Sequence, residues 1–197
     1  MTREETRTRI VEAAYRSLVD GGYNDTTIKD IAGEAGIAVG LAHYYFENKD
    51  DLMVAALQMG CPMASVDLEG MSGLEQARLG FAAEKQGQIS NPDTYRLVFD
   101  MVGAAMHNPR ISDQIKLFLE DRRTLVTRIS EAVRREAPST PRSSAEAIGA
   151  AIWGGFLGIA LQRLIDPGFD GDAALDALAE MANNLAFGPQ ASSQEDN

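Results

Sequence analysis

Cysteine is almost absent from this chain, and histidine is nearly as scarce. The single cysteine, Cys61, excludes a disulfide within the chain and a zinc cluster built on several thiolates. The two histidines, His43 and His107, do not stand at metal-ligand spacing with Cys61. We therefore predict no metal site and no cofactor. The low cysteine content also suits a reducing, cytoplasmic setting.

Basic residues are also in short supply. The 18 Lys and Arg residues are outnumbered by 29 Asp and Glu residues, which gives a net charge of −11. Residues 1–50 are acidic as well, with six basic and nine acidic side chains. Such a balance disfavours non-specific attraction to nucleic acid. Any such binding must rest on locally placed positive residues, for which the N-terminal candidates are Arg3, Arg7, Arg9, Lys29 and Lys49.

A hydrophobic run long enough to span a membrane is missing. The most apolar stretch, residues 147–161, has 15 residues, of which four are glycine. A membrane-spanning helix needs about 20 apolar residues, so we interpret this stretch as a buried helix and predict no membrane association. The charged N-terminus also lacks the apolar segment of a signal peptide.

What the chain does contain is a series of helix-length pieces. No segment alternates apolar and polar residues for long enough to predict a strand, so the predicted fold is all-α. Capping pairs are predicted at Thr27 with Asp30, Asn48 with Asp51, Ser72 with Glu75 and Ser143 with Glu146. The predicted helices cover about 3–20, 28–35, 39–46, 48–59, 72–89, 92–106, 109–136, 144–165 and 172–187.

The first three helices fit a helix-turn-helix unit. Gly36 stands where a tight or left-handed turn is needed, and Ile37 is predicted to pack that turn inward. The third helix of such a unit lies in the major groove of DNA. Its predicted exposed face consists of Val39, Gly40, Leu41, His43 and Tyr44.

Several residue types in this region suit contacts with DNA. Small and apolar side chains can touch thymine methyl groups, and histidine and tyrosine can hydrogen-bond bases or phosphates. Tyr45 could equally be a packing residue. Lys49 begins a helix, where an ammonium and free N–H groups together favour a phosphate. The predicted DNA-binding residues are Thr27, Lys29, Val39, Gly40, Leu41, His43, Tyr44, Tyr45 and Lys49.

Residues 10–57 resemble the DNA-binding domain of the TetR family of bacterial regulators. The matching segments are Gly22-Tyr23, TTIKDIA at 26–32, AGIAVG at 35–40 and YFENKDDL at 45–52. The chain departs from the family pattern at three positions. His43 replaces a tyrosine and could add pH dependence. Ala42 replaces a leucine, and Ala38 replaces a small hydroxyl residue that contacts phosphate in the family.

The resemblance implies a helix-turn-helix DNA-binding domain at residues 1–50 and a larger helical domain at 51–188 that binds an effector and dimerises. The tail at 189–197 is predicted to be disordered. Independent support for a dimer comes from the helix at 144–165, which is apolar on every side and contains Gly154, Gly155 and Gly158. The predicted dimer interface contains Ile152, Gly155, Phe156, Ile159, Leu178 and Leu185.

A ligand pocket is predicted from bulky side chains. Methionine and aromatic residues suit an adaptable apolar pocket, although each of them is also a common core residue. The candidates are Tyr95, Phe99, Met106, Trp153 and Phe156.

The predicted function is a ligand-responsive, dimeric transcriptional regulator. It would act as a repressor that a small molecule releases from a near-palindromic operator. The alternative is a helical ligand-binding or interaction module without DNA binding, which the acidic charge and His43 keep open. A small helical enzyme is disfavoured because nucleophiles are few and no catalytic motif is visible, so we predict no catalytic residues.

Overall fold

Nine α-helices, with no strand, make up the secondary structure of the parts of the chain that the computed structural model describes, residues 2–60, 68–136 and 143–187. The prediction of an all-α fold is therefore confirmed. Cys61, Pro62, Pro138, Pro141 and the predicted tail at 189–197 lie outside the described residues. The helices are α1 (Arg3–Asp25), α2 (Ile28–Glu34), α3 (Val39–Tyr45), α4 (Lys49–Gly60), α5 (Gly73–Ser90), α6 (Pro92–Ala105), α7 (Pro109–Glu136), α8 (Ala145–Ile165) and α9 (Gly171–Phe187).

Side-chain caps begin several helices where the sequence predicts them. Thr27 Oγ1 accepts a hydrogen bond from the Asp30 N–H at 3.2 Å, and the Asp30 carboxylate accepts one from the Thr27 N–H at 2.9 Å. This reciprocal pair satisfies two backbone donors that a helix start otherwise leaves unpaired. The pairing of Ser72 with Glu75 and the cap of Asn48 on the Asp51 N–H are confirmed as well.

The cap of α8 differs from the prediction by one residue. Ser144, and not Ser143, accepts the hydrogen bond, from the Ala147 N–H at 3.2 Å. Adjacent serines offer the same capping chemistry, and only the backbone path decides which of them occupies the cap position.

The end of α1 is interrupted by a glycine. The helix continues from the predicted end at Asp20 to Asp25, but Gly22 has a non-helical backbone with φ 71° and ψ 173°. Beyond this break, Thr26 Oγ1 donates to the carbonyl oxygens of Ser17 and Gly22 at 3.0 and 2.8 Å. The side chain of Thr26 thereby holds the last turn of α1 against the preceding one.

The first of two compact units contains α1 to α4, the end of α5, α6, and α7 as far as Glu120. Within it, α1 packs against α2, α4 and α6, and α2 packs against α3. Ile10, Leu18, Ile31, Leu52 and Leu57 are at most 2% exposed and form its core. This core fixes the positions of α2 and α3. The domain boundary predicted at residue 50 remains a prediction.

The second unit contains the rest of α5 and α7 together with α8 and α9. Gly73 lies directly on the backbone of α7, because a Cβ there would come within 2.3 Å of the Ala132 carbonyl carbon. Gly149 in the same way allows α8 to approach Thr127 on α7. In the interior, the rings of Phe81 and Phe156 meet edge to face with centroids 5.0 Å apart.

Among the described residues, α8 is the one helix that is long and apolar enough to cross a membrane by length and composition. Helices in the core of a soluble protein meet the same criterion. Ile148, Trp153 and Phe156 of α8 are buried within the chain, at 3%, 6% and 2% exposure. Part of the apolar surface of α8 is therefore buried by packing within the chain.

The turn between α2 and α3 depends on a left-handed glycine. Gly36 has φ 61°, as its place in the sequence predicts. The N–H of Gly36 donates to the Gly33 carbonyl at 3.0 Å, and the N–H of Ile37 donates to the Ala32 carbonyl at 2.9 Å. The half-buried Ile37 follows directly. This backbone path directs the start of α3.

Replacing Gly36 with alanine is expected to lower the free energy of unfolding by about 1 kcal/mol, because L side chains are strained at positive φ. The matched control is Gly33→Ala, in α2, where an added Cβ meets no atom within 4 Å. There alanine should raise stability by about 0.5–1 kcal/mol through helix propensity. Urea unfolding measures both variants, and a stabilising Gly36→Ala would contradict the prediction.

Candidate nucleic-acid interface

Two buried residues anchor α3 to the first unit. Ala42 is 1% exposed, and Phe46, which follows the last turn, is 5% exposed. Ala38 occupies the N-cap position and has no hydroxyl group to cap α3 or contact a phosphate. Because Ala42 points inward, helical periodicity turns the residues on either side of it outward.

The outward face of α3 is the face that the sequence predicts. Tyr44 is 66% exposed, Val39 is 39% exposed and Leu41 is 38% exposed. Gly40 and His43 are exposed as well. The predicted exposure of all five residues is confirmed, while their contact with DNA remains a prediction. The exposed apolar side chains at these positions do not pack in the core, so the stability of the fold gives no reason for apolar residues here.

Arginines of α1 flank the aromatic end of α3. The Arg3 guanidinium carbon lies 5.6 Å from the centroid of the Tyr44 ring, and that of Arg7 lies 5.1 Å from the Phe46 ring. Tyr45 meets Tyr44 edge to face at 5.3 Å. Such cation–π contacts hold positive charge beside the exposed face of α3. Both arginines are among the positive N-terminal residues that the sequence offers for DNA binding, and their spacing of one helical turn is the sequence signal for this stacking.

The start of α2 contributes further exposed residues. Thr27 and Lys29 are both exposed. The Thr27 N–H, which could otherwise face a phosphate, is donated to the Asp30 carboxylate. Hydrogen bonds from Thr27 hold the pKa of Asp30 below its usual value, so this carboxylate stays ionised. Lys29 is therefore the residue of this turn with the chemistry for a phosphate contact.

Lys49 is half-buried, as is Tyr45, whereas the other candidate residues are exposed. Its Nζ donates to the Tyr23 carbonyl oxygen and lies 4.4 Å from the centroid of the Tyr23 ring. Burial lowers the pKa of Lys49, and the nearby carboxylates of Asp50 and Asp25 oppose that shift. The ammonium predicted to bind phosphate is thus already engaged within the fold.

Negative charge gathers around Lys29 in the same unit. An open cavity of about 580 Å³ beside α2 is lined by Ser17, Asp20, Gly21, Asp25, Thr26, Lys29, Asp30, Gly33 and Glu34. Its four carboxylates would repel phosphate. In the part of the chain that the structure describes, no group of His, Cys, Asp or Glu could hold a metal ion. The face favourable to DNA is accordingly α3 with the first two turns of α1, whereas the carboxylates around Lys29 oppose a phosphate contact there.

The predicted ligand residues fall into both units. In the first unit, Tyr95 is buried, Phe99 is half-buried and Met106 is 75% exposed. In the second unit, Trp153 and Phe156 are buried in α8. Their role in ligand binding remains a prediction.

Most of the predicted dimer residues pack within one copy of the chain. Ile152, Phe156 and Ile159 are at most 8% exposed. Gly155 is in contact with Leu178, since a Cβ there would come within 2.6 Å of the Leu178 side chain. Leu185 is 46% exposed. The surface of α8 consists instead mainly of small and aliphatic residues, together with the charged Glu146 and the polar Gln162. The small and aliphatic ones are Ala147, Ala150, Ala151, Gly154, Gly158, Leu161 and Ile165.

A short helix that follows a tight turn and turns an uncovered face to solvent defines a helix-turn-helix protein of the DNA-binding class. Residues 10–56 match the family model described as bacterial regulatory proteins, tetR family. Over these residues the chain is similar to the TetR family.

Comparisons with individual proteins agree with this similarity. The HTH-type transcriptional regulator BetI of Brucella anthropi is 40% identical over 52 residues, which are 26% of this chain and 27% of that relative. A TetR transcription regulator from Haloarcula marismortui has a TM-score of 0.70 at 24% identity, over 93% of this chain and 97% of that one. The multidrug binding protein EbrR, in complex with proflavin, has a TM-score of 0.57 at 22% identity, over 89% and 99%. The sequence match thus spans about a quarter of the curated relative, whereas the fold is shared over nearly the whole chain.

Proposed function

We propose that this protein is a ligand-responsive, dimeric transcriptional regulator that binds double-stranded DNA through α3. The observation that carries the proposal is the exposed face of α3, on a domain that matches the TetR family. Val39 and Leu41 can contact thymine methyl groups, and His43 and Tyr44 can hydrogen-bond bases or phosphates. Arginine, asparagine and glutamine are absent from α3, so DNA shape would add to specificity.

The dimer would use the outer face of α8. Glycine inside a helix costs about 1 kcal/mol relative to alanine, so a packing reason is expected. At Gly154 and Gly158 an added Cβ would meet no atom of the chain within 4 Å. Contact with a second copy would supply that reason. Exposed Leu161 and Ile165 extend the same face, at 44% and 77% exposure.

The regulator would act in the cytoplasm as a repressor. A two-fold dimer presents two copies of α3 and would therefore recognise a near-palindromic operator. A small molecule bound to the helices that follow the DNA-binding domain would shift α4 and change the spacing of the two recognition helices. EbrR, with the same fold, binds proflavin. For the present chain, the effector is proposed only as a small molecule.

The test of this function is a gel shift with the DNA upstream of the protein's own gene. Binding at low salt by the folded dimer is expected, with a footprint that shows two related half-sites. If the folded dimer fails to shift this DNA, the helical module without DNA binding becomes the better interpretation. The carboxylates around α2 are the observation that favours that alternative.

The dependence of binding on salt is expected to be shallow. Few cations flank α3, and each phosphate contact contributes a slope of about −0.9 to a plot of log K against log salt concentration. We expect a slope shallower than about −8. Fluorescence anisotropy with a labelled upstream duplex at several salt concentrations measures it. A steeper slope would mean that more phosphates are neutralised than the exposed cations of the first unit explain.

A further inference from the structure

Two contacts fasten the first turn of α4 to the residue that follows the break in α1. The Lys49 ammonium donates to the Tyr23 carbonyl oxygen and lies over the Tyr23 ring. In the opposite direction, the Tyr23 hydroxyl donates to Asp50 Oδ1 at 2.6 Å. Adjacent residues of α4 thus hold both the backbone and the side chain of Tyr23, which is 9% exposed. We call this pair of contacts the Tyr23 clamp.

The surroundings of Lys49 do not suit a lysine that binds a phosphate of DNA. Its side chain is half-buried, and the flat face of an aromatic ring replaces part of the hydration of the ammonium. To reach a phosphate, the ammonium would have to leave the carbonyl of Tyr23, which would then lose this hydrogen bond. Asp50 and Asp25, which act on the same ammonium, would also repel a phosphate there.

We infer that Lys49 is a positioning residue, which with Asp50 fixes α4 to the α1–α2 connection so that α4 and the helix-turn-helix move as one body. The expected effect of Lys49 on DNA binding rests on the proposed function. It reassigns a residue that the sequence alone suggests as a phosphate contact. Displacement of α4 by an effector would then carry the start of α2 with it.

The first part of the test needs no DNA. Replacing Lys49 with methionine should lower Tm by about 3–8 °C, because a charged hydrogen bond and a ring contact are lost. The matched control is Lys116→Met, in α7 of the same unit, whose exposed side chain makes only a 3.8 Å ion pair with Glu120. Its Tm should change by less than about 1 °C. Equal Tm values for the two variants would overturn the inference.

The second part uses the upstream duplex at a temperature where all variants are fully folded. Lys49→Met should weaken binding about tenfold with an unchanged salt slope, and Lys49→Arg, which keeps a donor and a cation, should recover most of the affinity. A slope reduced by about 1 would identify a phosphate contact and overturn the inference. Unchanged affinity would overturn it too, since Lys49 would then only stabilise the fold. Failure of the unaltered protein to bind would count against the proposed function, and the thermal comparison would still decide the clamp.

Discussion

Leu41→Asp should weaken binding to the upstream duplex by at least about 100-fold, because it places a carboxylate on the face of α3 that is proposed to enter the major groove. The carboxylate would lie among phosphates, and the apolar contact of Leu41 with a thymine methyl group would be lost. Like charges forced together at an interface cost several kcal/mol, and about 2.7 kcal/mol already gives a 100-fold loss. Leu41 is 38% exposed, so the substitution leaves the core intact.

The matched control for this prediction is Leu79→Asp. Leu79 lies on α5 in the second unit and is 36% exposed, close to the value for Leu41. Both variants add the same charge to a helix surface, so a general effect of net charge would weaken both equally. Anisotropy titrations should show normal binding for Leu79→Asp, and circular dichroism should show full helix content for both. Equal affinities for the two variants would remove α3 from the proposed interface.

Gly158→Leu should raise the dissociation constant of the dimer by at least about 30-fold while the monomer stays folded. Leucine at a close helix–helix contact forces the helices apart, at about 1–3 kcal/mol per site. In a two-fold interface the same clash occurs twice, which brings the total to about 2–6 kcal/mol. Within one copy, a Cβ at Gly158 meets no atom within 4 Å, and leucine is the better helix former. Sedimentation velocity over a range of protein concentrations measures the constant.

Gly103→Leu serves as the control for the dimer prediction. Gly103 is also an exposed glycine inside a helix, α6, and an added Cβ there meets no atom within 4 Å. It should leave the dimer intact. The monomeric Gly158 variant should also lose most of its affinity for the operator, since each copy then contacts one half-site alone. A dimer that withstands Gly158→Leu would place the interface away from the outer face of α8.

Local structure was largely predictable from the sequence. The capping pair Thr27–Asp30 and the left-handed Gly36 depend on residues within a few positions of each other, so the local sequence is enough to predict them. The exposed face of α3 was predictable for a related reason. Its inward residues, Ala42 and Phe46, stand one turn apart, and the helical period then leaves the other side to solvent.

The packing of α8 was harder to predict. Every face of this helix is apolar, so the sequence pattern does not indicate which side of the helix faces solvent. The sequence predicts Ile152, Phe156 and Ile159 at a dimer interface, and the structure buries all three within one copy. The contact of Leu178 with Gly155 comes from α9, which lies on that side of α8.

Composition, capping residues and helical spacing by themselves determined that this protein is all-α and that a short helix beginning at Val39 is presented outward, because these depend on forces between near neighbours in the chain. Only the tertiary structure decided that the ammonium of Lys49 rests on Tyr23, which stands well before it in sequence. It likewise decided which side of α8 is left uncovered. Such contacts join residues that the fold alone brings together, and no local pattern records which of several equivalent surfaces a distant segment will cover.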